Sequence, residues 1–462
     1  MKSLVSIVAL SIALFSNCSS KTDKRTAEIE YGTLIVPENR TKSDSRDISI
    51  TYARIGKTGG GKRPPIVFLQ GGPGGSSLAM VQFFTNSPLR RNHDIILFDA
   101  RGTGRSSAFC KDAGNQFMEV MAEDLSIDGE YEGTLAICNT CKEELEENKV
   151  DVAGYNSVEN AADLEALRQE LGIDKWILLG GSYGTRLGLT YLREYKAAEA
   201  AILMGLFPAE INIYEGLLKG LDTSLERLFV SCTNDPACND RYPQLRQTFY
   251  SLMEDLRTIP KTIDYQGDDF VINAQDALLL IHQMLYARQT IEQVPAFIIS
   301  LKNGETGRLT QSIGQTAQRL SFINAATYWS VQANEEVQFN RENSIGGQLD
   351  TYPHLAPGPA FFASDQKILE QWHPYRADAR ENQRIVVETP ILIVNGEFDP
   401  ITPMTNAEGM LEYLPNASLV RFPYDGHTVF NPCFFSLVED FVSGNYQALD
   451  VSCAERGSLN WR

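Results

Sequence analysis

Trp176-Ile-Leu-Leu-Gly-Gly-Ser182-Tyr-Gly-Thr-Arg186 is the stretch around which the 462-residue chain is organised. An apolar run, Trp176 to Leu179, enters the Gly-x-Ser-x-Gly pattern Gly180-Gly181-Ser182-Tyr183-Gly184, and good helix formers follow from Arg186 to Tyr195. The order is strand, sharp turn, helix, with a serine at the tip. So tight a turn leaves no room for side chains at the flanking positions, which explains the glycines. It pushes the serine hydroxyl outward, and the following helix points its positive dipole end at it.

Working outward, Pro65-Ile-Val-Phe-Leu69, Asp94-Ile-Ile-Leu-Phe-Asp99, Ala200-Ala-Ile-Leu-Met204 and Pro390-Ile-Leu-Ile-Val-Asn395 are continuous apolar runs. They read as central strands buried on both faces, and Ala417–Phe422 reads as the last strand. Tyr31–Pro37 and Ile48–Ile55 alternate like half-buried antiparallel strands. Helical spacing marks Asn160–Leu171, which stops at Gly172. Between Phe207 and Glu388 the pattern turns helical, with long amphipathic stretches at Tyr214–Val230, Pro243–Thr258 and Ala274–Ala287. Strand–helix alternation with an embedded helical block predicts an α/β fold: a mostly parallel sheet carrying an inserted helical cap. The expected division is residues 28–206 and 389–462 for the core and 207–388 for the cap.

A net charge of −18 argues against nucleic acid or an anionic membrane surface as partner. Lys2 followed by the apolar run Leu4–Phe15 reads as an export signal over residues 1–17, too short to span a bilayer. Cys18 directly after it resembles the lipid-bearing cysteine of a bacterial lipoprotein signal. Residues 18–27 then form a polar tether, and the expected location is the periplasm or cell envelope, lipid-anchored, or secretion. The other seven cysteines suit an oxidising compartment. Cys232 pairs with Cys238 across a turn, Cys433 with Cys453 around the last helix, and Cys110 with Cys141 or Cys138, leaving one odd thiol. No second ligand pair stands at a spacing that would make Cys138-Asn-Thr-Cys141 a zinc site. Nothing in the sequence specifies an oligomeric state.

A serine hydroxyl needs a base to take its proton and a carboxylate to orient that base. Of five histidines, His427 follows the last strand, in Asp425-Gly426-His427. His93 reads as a loop residue, His282 as core, and His354 and His373 lie in the cap, within reach of a substrate. Asp399 stands just past the strand at 390–395, at the carboxyl edge where such sheets gather active groups. Glu397 and Asp425 compete with it, but Asp425 would have to curl back onto a histidine two residues away. An oxyanion hole needs two amide donors. Tyr183 supplies one, and Gly72 the other, because Pro73 in Gly71-Gly72-Pro73 has no N–H.

In order along the chain stand Gln70-Gly-Gly-Pro-Gly74, Asp99-x-Arg-Gly-x-Gly-x-Ser106, Gly-Gly-Ser182-Tyr-Gly184, Gly396-x-x-Asp399-Pro400 and Gly426-His427. This set resembles the prolyl aminopeptidase and tripeptidyl aminopeptidase group of α/β-hydrolase serine peptidases, from Tyr31 to Cys453. The resemblance implies an α/β-hydrolase fold and a triad of Ser182, Asp399 and His427, with Gly72 and Tyr183 as oxyanion donors. It implies peptide substrates held by a free amino group on cap carboxylates, with no cofactor and no metal. Ser330-Val-Gln-Ala-Asn-Glu335-Glu336 resembles the group's Ser-Val-x-Cys-x-Glu-Asp/Glu stretch, which makes Glu335, with Glu336 beside it, the expected amine anchor. Three positions depart from the group: Gln70 replaces a histidine of the single-residue peptidases, Ala333 and Tyr31 replace cysteines of the tripeptidyl branch, and Met204 replaces an aspartate. The expected activity is release of one or a few residues from a peptide's N-terminus. An esterase or small-molecule amidase would use the same triad.

Overall fold

The computed structural model describes residues 28–339, 345–446 and 448–462. The expected export signal, the lipid-bearing Cys18 and the tether to residue 27 lie outside the described residues. Eight strands form one sheet in the order β1-β2-β4-β3-β5-β6-β9-β10. β1 (Ile29–Pro37) and β2 (Asp47–Ile55) pair antiparallel, and β2 joins β4 (Ile95–Phe98) antiparallel. From β4 onward, through β3 (Ile66–Leu69), β5 (Trp176–Gly181), β6 (Ala198–Met204), β9 (Ile391–Gly396) and β10 (Ala417–Phe422), every pairing is parallel.

The apolar runs are continuous because both faces of these strands are covered. Val67, Leu69, Ile96, Leu178 and Leu203 pack into the core on one side. Their alternating neighbours Ile66, Phe68, Ile95, Ile177 and Ile202 pack into the core on the other. Each such fully buried aliphatic side chain contributes about 1.5–3 kcal/mol, and together they set the register.

Two excursions leave the sheet. After β4 the chain forms helix α1 (Ile127–Glu147), then α2 (Ser157–Glu170), capped by the Asn156 side chain accepting from the Glu159 amide. Helix α3 (Tyr183–Glu194) springs straight from β5. After β6 come α4 (Ile213–Asn234), α5 (Ala274–Met284), α6 (Thr306–Phe322), α7 (Ala325–Glu335) and α8 (Phe362–Trp372). Helix α9 (Pro432–Val442) closes the fold against the sheet. Ile137 and Leu145 of α1 share one apolar cluster with Leu278, Leu309 and Leu369, so α1 packs with the later helices, whereas Leu164 and Leu167 of α2 pack on the sheet. The helical block also holds a hairpin, β7 (Lys261–Tyr265) and β8 (Asp268–Ile272), which the helical reading of 207–388 passed over. Its signal is Gln266-Gly267 between alternating residues, with φ of 62° and 98° at the turn.

Disulfides join Cys110 to Cys141, Cys232 to Cys238 and Cys433 to Cys453. Cys138 is the odd thiol, and burial pushes it up to about 11. A thiol so placed stays protonated. Maleimide at pH 8 is expected to leave Cys138 unlabelled in the folded protein and to label it in denaturant; labelling of the native protein would contradict this burial.

Candidate active site

β5 delivers Ser182 with φ 55° and ψ −125°, a backbone conformation few non-glycine residues adopt. The strain is held by the sheet on one side, through Ser182 N–H donating to the Met204 carbonyl at 2.9 Å. On the other side the Ser182 carbonyl accepts from the Thr185 amide at 2.8 Å and its hydroxyl at 2.7 Å. The flanking glycines are a steric necessity. A Cβ on Gly184 would stand 2.0 Å from the Leu69 carbonyl oxygen, and one on Gly180 would stand 2.5 Å from that of Gly184. Gly181 is different, since its Cβ would meet only the Met204 methyl at 3.4 Å.

The loop after β10 carries His427, and the loop after β9 carries Asp399. Nδ1 of His427 lies 2.8 Å from Oδ2 of Asp399, both buried. With a carboxylate as partner, Nδ1 carries the proton and Nε2 presents its lone pair. Asp399 is itself fixed: Oδ1 accepts from the amides of Ile401 (3.0 Å) and Thr402 (2.9 Å), and Oδ2 accepts from the Thr402 hydroxyl (2.6 Å). The imidazole is walled by the Tyr286 ring, edge-on at 4.7 Å, and by Gly205, where a Cβ would come within 3.0 Å of Cε1. The competing acids are engaged elsewhere. Glu397 pairs with Arg227, and burial raises the Asp425 carboxyl to about 6.

Gly72 and Ser182 line the same two cavities, one running into the helical block and one that His427 also lines. The glycine loop sits directly on the serine, since a Cβ on Gly71 would stand 2.9 Å from that of Ser182. Neither Gly72 nor Tyr183 spends its amide on a turn hydrogen bond among the described residues, and Tyr183 opens α3, where helix amides are free. A hydroxyl on a strained elbow, an oriented imidazole and two unspent amides can together perform acyl transfer.

A family model for the alpha/beta hydrolase fold matches residues 64–431. The chain belongs to the α/β-hydrolase fold family. Among its relatives, the hydrolase is 31% identical to serine protease Hip1 of Mycobacterium tuberculosis over 223 residues, 45% of this chain and 42% of that protein. It is 22% identical to a proline iminopeptidase of Xanthomonas citri over 384 residues, 80% of this chain and 84% of that protein. Among solved structures, a serine hydrolase of Cycloclasticus zankles aligns over 91% of this chain and all of that one, with 15% identity and a TM-score of 0.41.

Glu335 and Glu336 do not line either cavity at Ser182. Glu336 is 1% exposed and pairs with Arg186 of α3, while its Oε2 accepts from the Ile213 amide at 3.0 Å. Glu335 accepts from the Ser157 amide (2.6 Å) and hydroxyl (2.9 Å), and that hydroxyl lies 2.8 Å from the Tyr183 Oη. Burial raises both carboxyls against the pull of Arg186. Both are therefore committed to holding α2, α3 and α4 together, and an amine anchor at this pair is set aside.

The cap histidines are also engaged away from the site. His354 Nε2 lies 2.6 Å from Asp222, and His373 Nε2 lies 3.1 Å from the Ser330 carbonyl. Buried His282 is pushed down to about 3 by desolvation. Two groups escaped the sequence reading. Asp365 of α8 is buried behind the first cavity, accepting hydrogen bonds from the hydroxyls of Tyr214 and, at 2.8 Å, Tyr328. Arg319 of α6 lines both cavities. Neither sits in a motif, and only the packing of the helices brings Arg319 to the cavities at Ser182 and Asp365 to the back of Tyr328 in the first cavity's wall.

Proposed function

We propose that this hydrolase is a serine exopeptidase that cleaves near the free N-terminus of short peptides. Ser182 attacks the scissile carbonyl while His427 takes its proton, and Asp399 holds the resulting imidazolium. The amides of Gly72 and Tyr183 receive the oxyanion. The leaving amine takes the proton from His427, and water then resolves the acyl-enzyme with His427 as base. The observation that carries this reading is His427 hydrogen-bonded to Asp399 and facing the cavity that Ser182 and Gly72 line. The relatives named serine protease and proline iminopeptidase support peptide bonds as the target.

The amine end is assigned to the first cavity. Its wall is apolar through Phe117, Ile137, Leu279 and Phe361, yet Tyr328 and Gln332 open a polar end. The Gln332 Oε1 is buried there with no hydrogen-bond partner among the described residues; behind Tyr328, the Asp365 Oδ1, which does not itself line the cavity, is buried without one as well. Among the described residues no cation pairs with Asp365, and burial raises its carboxyl to about 6 against the pull of Tyr214, Tyr328 and Trp329. A substrate ammonium supplies the missing positive charge.

Peptides with a free amine are expected to turn over at least tenfold faster than their N-acetylated forms, and equal rates would refute the exopeptidase reading. Asp365→Asn is expected to raise KM for free-amine peptides about tenfold and leave acetylated ones unchanged. The same variant tests the buried charge. A carboxyl raised in the fold favours its protonated form, so its ionisation weakens the fold as pH climbs from about 4 through 6. The wild type is therefore expected to lose up to ~3 kcal/mol more stability than Asp365→Asn between pH 4 and pH 8, read from denaturant unfolding at both pH values.

A further inference from the structure

The two cavities that meet at Ser182 share Gly72, Tyr286, Ile323 and one cation, Arg319. Its Nη1 donates to the Gln283 carbonyl oxygen (3.3 Å) and to Gln283 Oε1 (2.8 Å), closing the last turn of α5. Its guanidinium lies 4.4 Å from the centroid of the Tyr286 ring, which stands edge-on to His427. Among the described residues no hydrogen bond uses Nε or Nη2, and no carboxylate lies within ion-pair distance. Buried arginines elsewhere leave no such free edge: Arg90, also without a carboxylate, donates Nε and Nη2 to the Gly56 carbonyl and Nη1 to that of Thr85. Arg101 forks onto Asp163 at 2.7 and 2.8 Å, and Arg186 pairs with Glu336. Capping a helix end needs a donor and not a full charge, so apart from the face of Tyr286 nothing among the described residues answers the charge of Arg319.

The second cavity decides which part of a substrate meets that charge. His427 must hand its proton to the leaving amine, so the leaving fragment occupies the cavity that His427 lines. That wall is formed by Gln70, Gln318, Phe322 and Phe430 besides Arg319, and it contains no acidic side chain among the described residues. A guanidinium with a free edge, stacked on an aromatic ring, matches a carboxylate bidentately.

We propose that Arg319 receives the free C-terminal carboxylate of the leaving fragment, which makes the hydrolase selective for very short peptides with both termini free. This rests on the exopeptidase reading and adds a second anchor: ammonium toward Asp365, carboxylate toward Arg319, and the scissile bond at Ser182 between them. Such substrates are the products of proteases that have already reduced longer chains to fragments.

The test is a panel of free-amine di- and tripeptides, each made as the C-terminal acid and as the C-terminal amide, compared by kcat/KM. Wild-type enzyme is expected to prefer the acid at least tenfold, chiefly through KM, with the preference shrinking at high salt. Arg319→Gln and Arg319→Met are expected to lower kcat/KM for the acid to the level of the amide, with the amide unchanged. Arg319→Lys retains part of the preference. Equal use of acid and amide by the wild type overturns the proposal, and does so even if the variants fail to fold. Equal loss on acid and amide in the variants overturns it as well, pointing instead to support of Tyr286 and His427. If an amidated peptide regains full activity when its first leaving residue is aspartate, the carboxylate in question is a side chain, and the terminus assignment fails. Failure of the carboxylate preference with rejection of acetylated peptides intact leaves the exopeptidase reading standing; hydrolysis of acyl esters with no peptide turned over defeats both.

Discussion

Replacing Ser182 with alanine is expected to reduce kcat by ~10⁴-fold or more on any substrate, while the fold survives. The residue stands at φ 55°, held by a ladder bond to β6 and by Thr185, and alanine keeps all of the backbone partners. Labelling by a fluorophosphonate probe should vanish with the activity. His427→Ala should match it, and the double variant Ser182→Ala/His427→Ala should be no worse than either alone, because the two groups act in one step. Asp399→Asn is expected to cost about 10⁴-fold in kcat, since an amide no longer selects the Nδ1–H tautomer. Strong residual activity in Asp399→Asn, or labelling of Ser182→Ala, would remove these residues from the mechanism.

Glu336→Gln is expected to destabilise the protein by about 3–5 kcal/mol, with little change in KM for the molecules that remain folded. The Arg186 side chain is 3% exposed and that of Glu336 1%, and without Glu336 the buried guanidinium keeps only Glu335, at 4.0 Å, as counter-charge. Besides the ion pair, Arg186 donates to the Ala209 carbonyl at 2.7 Å and stacks on Phe207 at 4.2 Å. The pair therefore ties the helix behind the nucleophile to the first turn of the helical block. Arg186→Met should cost at least as much, because it takes the cation from Glu335 as well as Glu336, and the double variant Arg186→Met/Glu336→Leu should recover only the part owed to Glu336. The discriminating result is easy to read. A residue that anchors substrate would raise KM at constant stability, whereas one that fastens the cap lowers the unfolding midpoint at constant KM.

These two cases mark how far sequence reading reaches. The placement of Ser182, Asp399 and His427 at strand ends was legible because each stands just past an apolar run, and the strand order of a parallel sheet brings such ends together. Gly180 and Gly184 were legible for a local reason, the collision that any Cβ would cause. The strands themselves showed as uninterrupted apolar runs, because burial on both faces leaves no polar position. Glu335 and Glu336 were misleading for the opposite reason. A carboxylate on a helix reads the same in sequence whether its partner is a substrate ammonium or an arginine about 150 residues away, and only packing reveals Arg186. Which of Cys138 and Cys141 meets Cys110 was likewise undecided by spacing; the two are less than one helical turn apart on α1, and the orientation of that helix settles it.

The sequence by itself determined the sheet, the elbow and the order of Ser182, Asp399 and His427 at the strand ends, since these follow from hydrophobic period, glycine sterics and chain order. Tertiary structure alone decided what surrounds them: that α1 joins the helical layer, that Asp365 is buried against Tyr214 and Tyr328, and that Arg319 lines both cavities. Periodicity records which side of a helix is buried, but not against what. Charge pairing between distant segments leaves no local trace, so the groups that line a pocket emerge only once the helices are packed.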